Sequence, residues 1–394
     1  MSNSYDICIM GGCGHVGAPL GILFASQGFK VVGYDVNEHA VAALNQGSML
    51  FYEPGCVDLL KQALLKKSIF FTIDPAVIKD AKFLIVCVGT PVDEYGNPKF
   101  SIIDDLVVLL NQYMNLHDQV LILRSSVYPG TTEYIKRKLK GHVKIAFCPE
   151  RIAEGFALKE YAELPQIVAS PDLEVRRVVR ELFSSINNDI YEMDNFKEAE
   201  LVKIFTNVYR YINFAIANQF FMIAERDGLN FDRIVQATTY RYPRTQGLVN
   251  KGFVGGSCLH KDTLQLNAFH NNYFTLGQSA VSINEGLPDF IVDVLEKRFG
   301  NLKDKIVGIL GMTYKADIDD VRSALSFKLK KILNFKSAAV VWHDPYFDGK
   351  AGCAPLEEVL RSDIVVLAVP HRYYRERWSE IQTKSKNFYN ATYV

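Results

Sequence analysis

The sequence predicts an α/β protein made of two doubly wound units with a helical segment between them. Three observations predict it. Short apolar strands alternate with helical stretches over residues 1–197, strand patterns give way to helix over residues 198–300, and the alternation resumes over residues 301–394. Alternation of this kind marks a mostly parallel sheet with both faces covered. The 394 residues exceed what one hydrophobic core usually organises, which agrees with several domains. Lys plus Arg and Asp plus Glu balance at 44 each, so no global field draws the chain to nucleic acid or to an acidic membrane, and neither is expected as a partner. No apolar run approaches the roughly 20 residues that span a bilayer. A strand pattern begins almost at the N-terminus, so no leader is expected. The seven scattered cysteines fit a reducing cytoplasm better than a disulfide framework. None has the spacing of a zinc site, and no metal is expected.

Taken in order, YDICIM reads as a buried strand, and Gly12, Cys13, Gly14, His15, Val16 and Gly17 follow it as GxGxxG. An apolar helical run comes next, and a second strand, KVVGYD, ends in Asp35. Strand, glycine turn, helix and an acid about 20 residues on form the dinucleotide-binding fingerprint of a Rossmann domain. Gly12 is expected to permit the turn, Gly14 to let backbone approach a pyrophosphate, and Gly17 to let helix meet strand. The phosphates would then meet helix N–H groups. Asp35 favours NAD over NADP, because a carboxylate repels a 2′-phosphate. A glycine turn in an ordinary α/β unit would leave Asp35 unexplained.

The strands IFFTI, FLIVCVGT, QVLILRSS and VKIAFCPE continue the unit. Their ends bring Gly89 and Thr90, Ser125 and Ser126, and Glu150 and Glu154 to the side where open α/β sheets bind ligands. Such residues also cap helices, and singly each could be no more than a cap. Together they offer hydroxyl donors and general bases to a cofactor cavity.

Residues 198–228 are apolar on nearly every face, the pattern of a helix that is buried or lies in a subunit interface, so at least a homodimer is expected. Lys203, Asn207, Arg210 and Tyr211 form a polar stripe, read either as a ligand-binding or catalytic face or as an ion-pair ladder with Glu200. Further on, FVGGSCLHKD places Cys258 after Gly252, Gly255 and Gly256 and just before Lys261 and Asp262. A thiol near a cation or a helix N-terminus becomes a nucleophile. The competing reading is a buried structural cysteine. KIVGILG, AAVVWHDP and DIVVLAVP supply the strands of the last unit.

FVGGSCLHKD, ELVKIFTN, CPERIAEG and GMTYKADIDDVRSALSFKL, in that order, resemble the UDP-glucose and GDP-mannose dehydrogenases over essentially the whole chain. The resemblance implies an NAD-binding Rossmann domain (1–197), a central helical dimerisation domain (198–300) and a C-terminal Rossmann-like domain (301–394) that helps to bind a nucleoside diphosphate. It implies oxidation of a sugar 6-hydroxymethyl to a carboxylate with two NAD+ and one water. By the same resemblance, Cys258 captures the aldehyde as a thiohemiacetal that becomes a thioester, and Lys203 steadies the oxyanion. Asp262 with an ordered water assists proton removal, Glu150 activates the hydrolytic water, and Asn207 is a polar partner of the reacting oxygen. Gly255, Gly256, Arg244, Tyr314, Lys315 and Arg322 take the substrate positions, with Arg244 reaching a neighbouring subunit's site.

Two departures bear on the substrate and cofactor. Ser126 stands where many members have threonine and keeps the hydroxyl. Arg151 follows Glu150 where the glucose-type enzymes have phenylalanine, which favours a UDP-N-acetylhexosamine over UDP-glucose, although Glu154 with Gly155 is shared with the glucose type. Uronic acids of this kind feed capsule, lipopolysaccharide and other surface polysaccharides. The alternatives to a four-electron enzyme are a two-electron hydroxyacid dehydrogenase and a catalytically inactive nucleotide-sugar sensor.

Overall fold

The computed structural model of the chain describes residues 4–93, 97–115, 118–256 and 258–392. They fall in two compact units, Met1–Thr206 and Asn207–Val394. Among the described residues no helix is long and apolar enough to cross a membrane.

The first unit is built on eight strands: β1 (Tyr5–Met10), β2 (Val31–Tyr34), β3 (Ile69–Thr72), β4 (Ala81–Val86), β5 (Val120–Leu123), β6 (Lys144–Phe147), β7 (Gln166–Ala169) and β8 (Ile190–Met193). Their order is β3-β2-β1-β4-β5-β6-β7-β8. β1 is flanked by β2 on one side and β4 on the other, with Ile7 opposite both Val31 and Phe83, so the chain reverses its direction of winding there. That reversal opens a crevice at the carboxyl ends of the strands. Period-two alternation explains why β1 is apolar throughout. Ile7 and Ile9 pack into the core on one face of the sheet, Cys8 and Met10 into the core on the other. β7 and β8 were not legible as strands. They are four residues each, β7 pairs antiparallel to β6 through Phe147 and Ala169, and β8 is an edge strand whose Tyr191 and Glu192 face solvent.

The second unit begins within the helix Phe196–Arg226, which stops before Gly228, whose φ of 69° only glycine adopts freely. Helices Phe231–Thr239, Leu259–Phe269 and Thr275–Phe299 follow. A parallel sheet of β9 (Ile306–Leu310), β10 (Ala339–His343), β11 (Ile364–Leu367) and the unanticipated three-residue β12 (Phe388–Asn390) then runs in the order β10-β9-β11-β12. The same division of faces recurs: Ile364 and Val366 join one core, Val365 and Leu367 another.

Candidate active site

At the end of β1 the turn is made by Gly11, φ 78°, and not by Gly12 as expected. A Cβ on Gly11 would stand 2.9 Å from the Cys87 carbonyl. Gly12 serves close packing instead, since a Cβ there would lie 2.6 Å from the Gly33 Cα of β2. At Gly17 it would come within 2.2 Å of the Gly11 carbonyl, so helix Gly17–Ser26 starts pressed against the turn, with Val16 as its N-cap. Gly14 meets only an ordinary contact at 3.6 Å, which leaves its outer side for a ligand. Asp35 accepts from Cys13 N–H at 2.9 Å through Oδ2 and from Asn37 N–H at 3.1 Å through Oδ1. Each oxygen keeps acceptor capacity for a ribose hydroxyl. The glycine cradle and this carboxylate fit a dinucleotide. His15 stacks on Phe51 with ring centroids 4.0 Å apart, and its Nδ1 lies 3.7 Å from Glu154 Oε1.

The neighbouring strand ends carry the other expected residues. Gly89 faces open space, Thr90 Oγ1 donates to the Ser126 carbonyl, and Ser125 Oγ donates to the Val88 carbonyl at 2.7 Å. These hydroxyls tie the β4 and β5 loops together. Glu53, which the sequence reading passed over, accepts from Gly155 and Ala157 N–H, both at 2.8 Å, and thereby sets the loop that holds Glu154.

Glu150 is buried and held by a group the sequence reading missed, Arg124. Arg124 Nε donates to Glu150 Oε2 at 2.7 Å, and Tyr161 donates to the same oxygen at 2.6 Å. Oε1 accepts from Arg151 N–H at 2.7 Å and Ile152 N–H at 3.0 Å. Burial disfavours the anion, but the Arg124 guanidinium, the Tyr161 and Ile152 bonds and the Lys203 ammonium outweigh it and hold the carboxyl below its usual range. Arg124 only becomes visible in three dimensions, because 26 residues separate it from Glu150. Arg151 itself donates to the Pro165 carbonyl, and burial lowers its pKa.

Lys203 is buried, as the stripe reading required, but Arg210 is exposed and does not belong to it. The Tyr211 side chain is fully buried, and its hydroxyl has no hydrogen-bond partner among the described residues. Glu200 is engaged elsewhere: it accepts from Thr132 N–H at 2.8 Å, Thr132 Oγ1 at 2.6 Å and Gly130 N–H at 2.5 Å.

In the second unit, Cys258 is the exposed one of the seven cysteines and stands at the N-cap position of helix Leu259–Phe269. Helix N-termini favour anions. Burial pushes Cys8, Cys13, Cys56, Cys87 and Cys148 up to about 12 and keeps them inert. Lys261 Nζ lies 3.1 Å from Asp262 Oδ1. Asp262, fully buried, accepts the Asn207 side-chain amide at 2.6 Å through Oδ2. Its Oδ1 has no hydrogen bond of adequate geometry among the described residues, so the lysine proximity is Coulombic.

The glycine turn is fixed from both ends. Asn218, also missed, takes Gly252 N–H at 2.9 Å and donates to the Gly252 carbonyl at 3.1 Å. Gly256 has φ 92°, and a Cβ there would strike the Tyr314 ring at 2.9 Å. At Gly255 it would stand 2.6 Å from the Ser323 carbonyl and 3.0 Å from Tyr314 Cβ. Ser257 lies outside the described residues. Arg322 forks onto Asp320, Nε at 3.0 and 2.9 Å and a terminal nitrogen at 2.6 Å, which neutralises part of the charge expected for a diphosphate. Lys315 sits beside Tyr314, its carbonyl accepting Thr313 Oγ1 at 2.8 Å. Arg244 is exposed and leans on Tyr242, 3.3 Å from its hydroxyl.

The dinucleotide cradle of the first unit is that of a nicotinamide-dependent oxidoreductase. The UDP-glucose/GDP-mannose dehydrogenase family matches with its NAD binding domain over residues 5–187, its central domain over 197–286 and its UDP binding domain over 308–391. The chain belongs to that family. It is 31% identical to the UDP-N-acetyl-D-mannosamine dehydrogenase of Methanococcus maripaludis, covering 97% of this chain and 92% of the relative. Among solved structures, the UDP-D-ManNAc dehydrogenase of Pyrococcus horikoshii matches with TM-score 0.87 and 28% identity over 98% of this chain and 95% of that one. The UDP-glucose dehydrogenase of Pyrobaculum islandicum matches with TM-score 0.89 and 26% identity over 100% and 95%.

Proposed function

We propose that the protein oxidises the 6-hydroxymethyl of a UDP-N-acetylhexosamine to the uronic acid in two successive steps on one enzyme. The carrying observation is Cys258, exposed at a helix N-terminus one turn before Asp262, whose buried Oδ1 faces the Lys261 ammonium at 3.1 Å and has no hydrogen bond among the described residues. A buried carboxylate oxygen keeps acceptor capacity beside such an ammonium, and an ordered water or a substrate hydroxyl fills it. Bound NAD+ supplies the hydride acceptor for each oxidation.

Asp262, through that water, takes the proton of the C6 hydroxyl in the first oxidation. Cys258 sulfur then bonds to the aldehyde carbon as the carbonyl π bond opens, and the thiol proton passes to the oxygen. The thiohemiacetal cannot leave before it loses its second hydride and its hydroxyl proton. Lys203 steadies the oxyanion and Asn207 shares the hydrogen bonding of the reacting oxygen. Water adds to the thioester, the C–S bond breaks, and acid and thiol are released. Glu150 orients and deprotonates that water. Its four acceptor positions are filled in the free protein, so the Tyr161 hydroxyl must yield one when water arrives.

Gly14 and Val16 receive the pyrophosphate on the turn whose close packing Gly12 and Gly17 allow, Asp35 the ribose, and His15, Gly89, Thr90, Ser126 and Glu154 the rest of the cofactor. Gly255, Gly256, Tyr314, Lys315 and Arg322 hold the nucleotide sugar, with Arg151 set towards the sugar. The domains run 1–197, 198–300 and 301–394. Two copies pair through helix Phe196–Arg226, whose Tyr209, Ile216, Phe220 and Ile223 are 64%, 40%, 50% and 56% exposed and share one face. Arg244 completes the partner's site. Names of relatives support the acetylated substrate over UDP-glucose, which remains the second reading because the Pyrobaculum islandicum structure matches equally well.

Quenching the enzyme in acid during turnover and mapping its peptides by mass tests the covalent step. A nucleotide-sugar adduct on the Cys258 peptide is the expected result; an unmodified peptide at every time point counts against it.

A further inference from the structure

His371 is completely buried in the C-terminal sheet unit and takes no part in the chemistry above. Its hydrogen bonds leave one assignment of its proton. The Asp317 N–H points at Nδ1 from 2.9 Å, so Nδ1 is an acceptor without a proton. The proton is therefore on Nε2, which lies 3.1 Å from Asp344 Oδ2 and 3.1 Å from Thr313 Oγ1. Thr313 has already given its own hydrogen to the Lys315 carbonyl, so its oxygen faces Nε2 as an acceptor. The imidazole grips the Met312–Asp317 segment at both ends.

Other bonds complete the grip. Asp344 also accepts from Met312 N–H at 2.7 Å and Thr313 N–H at 3.3 Å. Asp317, itself at φ 61°, receives Arg372 N–H at 2.8 Å and the Arg375 guanidinium at 3.2 Å. Asp344 stands at the end of β10 as Asp35 stands at the end of β2. Both take an N–H from the turn after the first strand of their sheet. In the first unit that carboxylate keeps acceptor capacity for a ligand. In the second, His371 has taken it up.

What the gripped segment holds outward is Tyr314, whose ring rests on Gly256 and whose Cβ rests on Gly255. Those glycines form the turn that leads into Cys258.

We propose that His371 is a positioning residue for the reaction: as a neutral imidazole protonated on Nε2, it fixes the 312–317 segment so that Tyr314 backs the Gly255–Gly256 turn and sets Cys258 in place. The proposal rests on the reading of Cys258 as the nucleophile. A displaced turn misplaces the sulfur, and a misplacement of about 1 Å costs up to roughly 100-fold in rate.

The test compares the full-length protein with its His371→Gln and His371→Leu variants. Gln keeps one donor and one acceptor, Leu neither. Iodoacetamide alkylation of Cys258, read by peptide mass with and without added UDP, reports on the turn without any turnover. Steady-state kinetics with NAD+ and UDP-N-acetyl-D-mannosamine and an NAD titration accompany it. With Leu, the alkylation rate should change several-fold and protection by UDP should be lost. The kcat should fall about tenfold or more and the sugar-nucleotide KM should rise, while NAD affinity stays as in the parent. Gln should restore most of each. Parent-like alkylation and KM in a folded Leu variant overturn the proposal, and so does equal impairment of Gln and Leu, which would mean that ring volume matters and hydrogen bonding does not. If Leu does not fold, Thr313→Val, which removes one acceptor of the Nε2 proton, carries the test with the same expected and contrary results. An enzyme that proves not to oxidise UDP-sugars would refute the proposed function, yet the alkylation arm would still decide the role of His371.

Discussion

Asn207 donates its side-chain amide to Asp262 Oδ2 at 2.6 Å across 55 residues of chain, and both groups are buried. This bond joins the long helix to the helix that begins after Cys258, and it leaves Asp262 Oδ1, which faces the Lys261 ammonium, as the oxygen to which the proposed proton transfer is assigned. Asp262→Asn keeps the volume and removes the acceptor anion. It should lower kcat by about 10²–10⁴-fold, the usual worth of a positioned base, with NAD affinity unchanged. Steady-state assay and NAD titration check both halves, and a fall of less than about threefold would remove Asp262 from proton transfer.

Cys258→Ala should abolish acid formation and leave NAD bound as tightly as in the parent, because the glycine cradle and Asp35 lie in the first unit. Product mass spectrometry with a separate NAD titration decides it. Uronic acid formed at the parent rate would refute the covalent route.

Asp35→Ala removes a carboxylate that accepts Cys13 and Asn37 N–H and is assigned the ribose hydroxyls. Charge-assisted hydrogen bonds contribute about 1.5–3 kcal/mol, so NAD should bind roughly 10- to 100-fold more weakly. Calorimetric titration that finds unchanged affinity would take Asp35 out of the cofactor site.

Glu150→Gln leaves the Arg124 guanidinium buried without its counter-ion, a loss of about 3–5 kcal/mol at pH 7. The native carboxyl is held below its usual range, so its stabilisation is complete above the unfolded pKa of about 4.3 and is lost as pH falls through the lower folded value. The gap between parent and variant in urea unfolding should therefore narrow from pH 7 to pH 3. A gap independent of pH would show that the carboxylate's charge is not what stabilises.

Ile216→Glu places a charge in the middle of the exposed apolar face of helix Phe196–Arg226. Light scattering should find the parent as a dimer or larger and the variant shifted towards monomer. Equal masses would move the interface elsewhere.

Much of this was legible in the sequence because it is local. The fingerprint from Gly12 to Asp35 reads as one βαβ unit, and FVGGSC followed by a helix announces a turn and a cap. Even there the sequence misassigned one role, since Gly11 and not Gly12 takes the left-handed conformation. What stayed hidden depends on long-range pairing. Arg124 reaches Glu150, Asn218 clamps Gly252, and Glu53 sets the Glu154 loop over about a hundred residues of chain. No periodicity encodes such contacts. β7 and β8 escaped notice for a different reason: four residues are too few for alternation to be distinguished from a loop. The polar stripe on the central helix divides: Lys203, Asn207 and Tyr211 are buried, whereas Arg210 lies on the solvent side.

The central claim is a four-electron oxidation on one thiol. The measurement that tests it most directly is the number of NADH formed per sugar nucleotide consumed, with the product identified by mass, for UDP-N-acetyl-D-mannosamine beside UDP-N-acetylglucosamine, UDP-N-acetylgalactosamine and UDP-glucose. Two NADH and a uronic acid from an acetylated member of this set is the predicted result. One NADH and a product that stops at the aldehyde, or no turnover of any of them by protein that binds NAD, would contradict it.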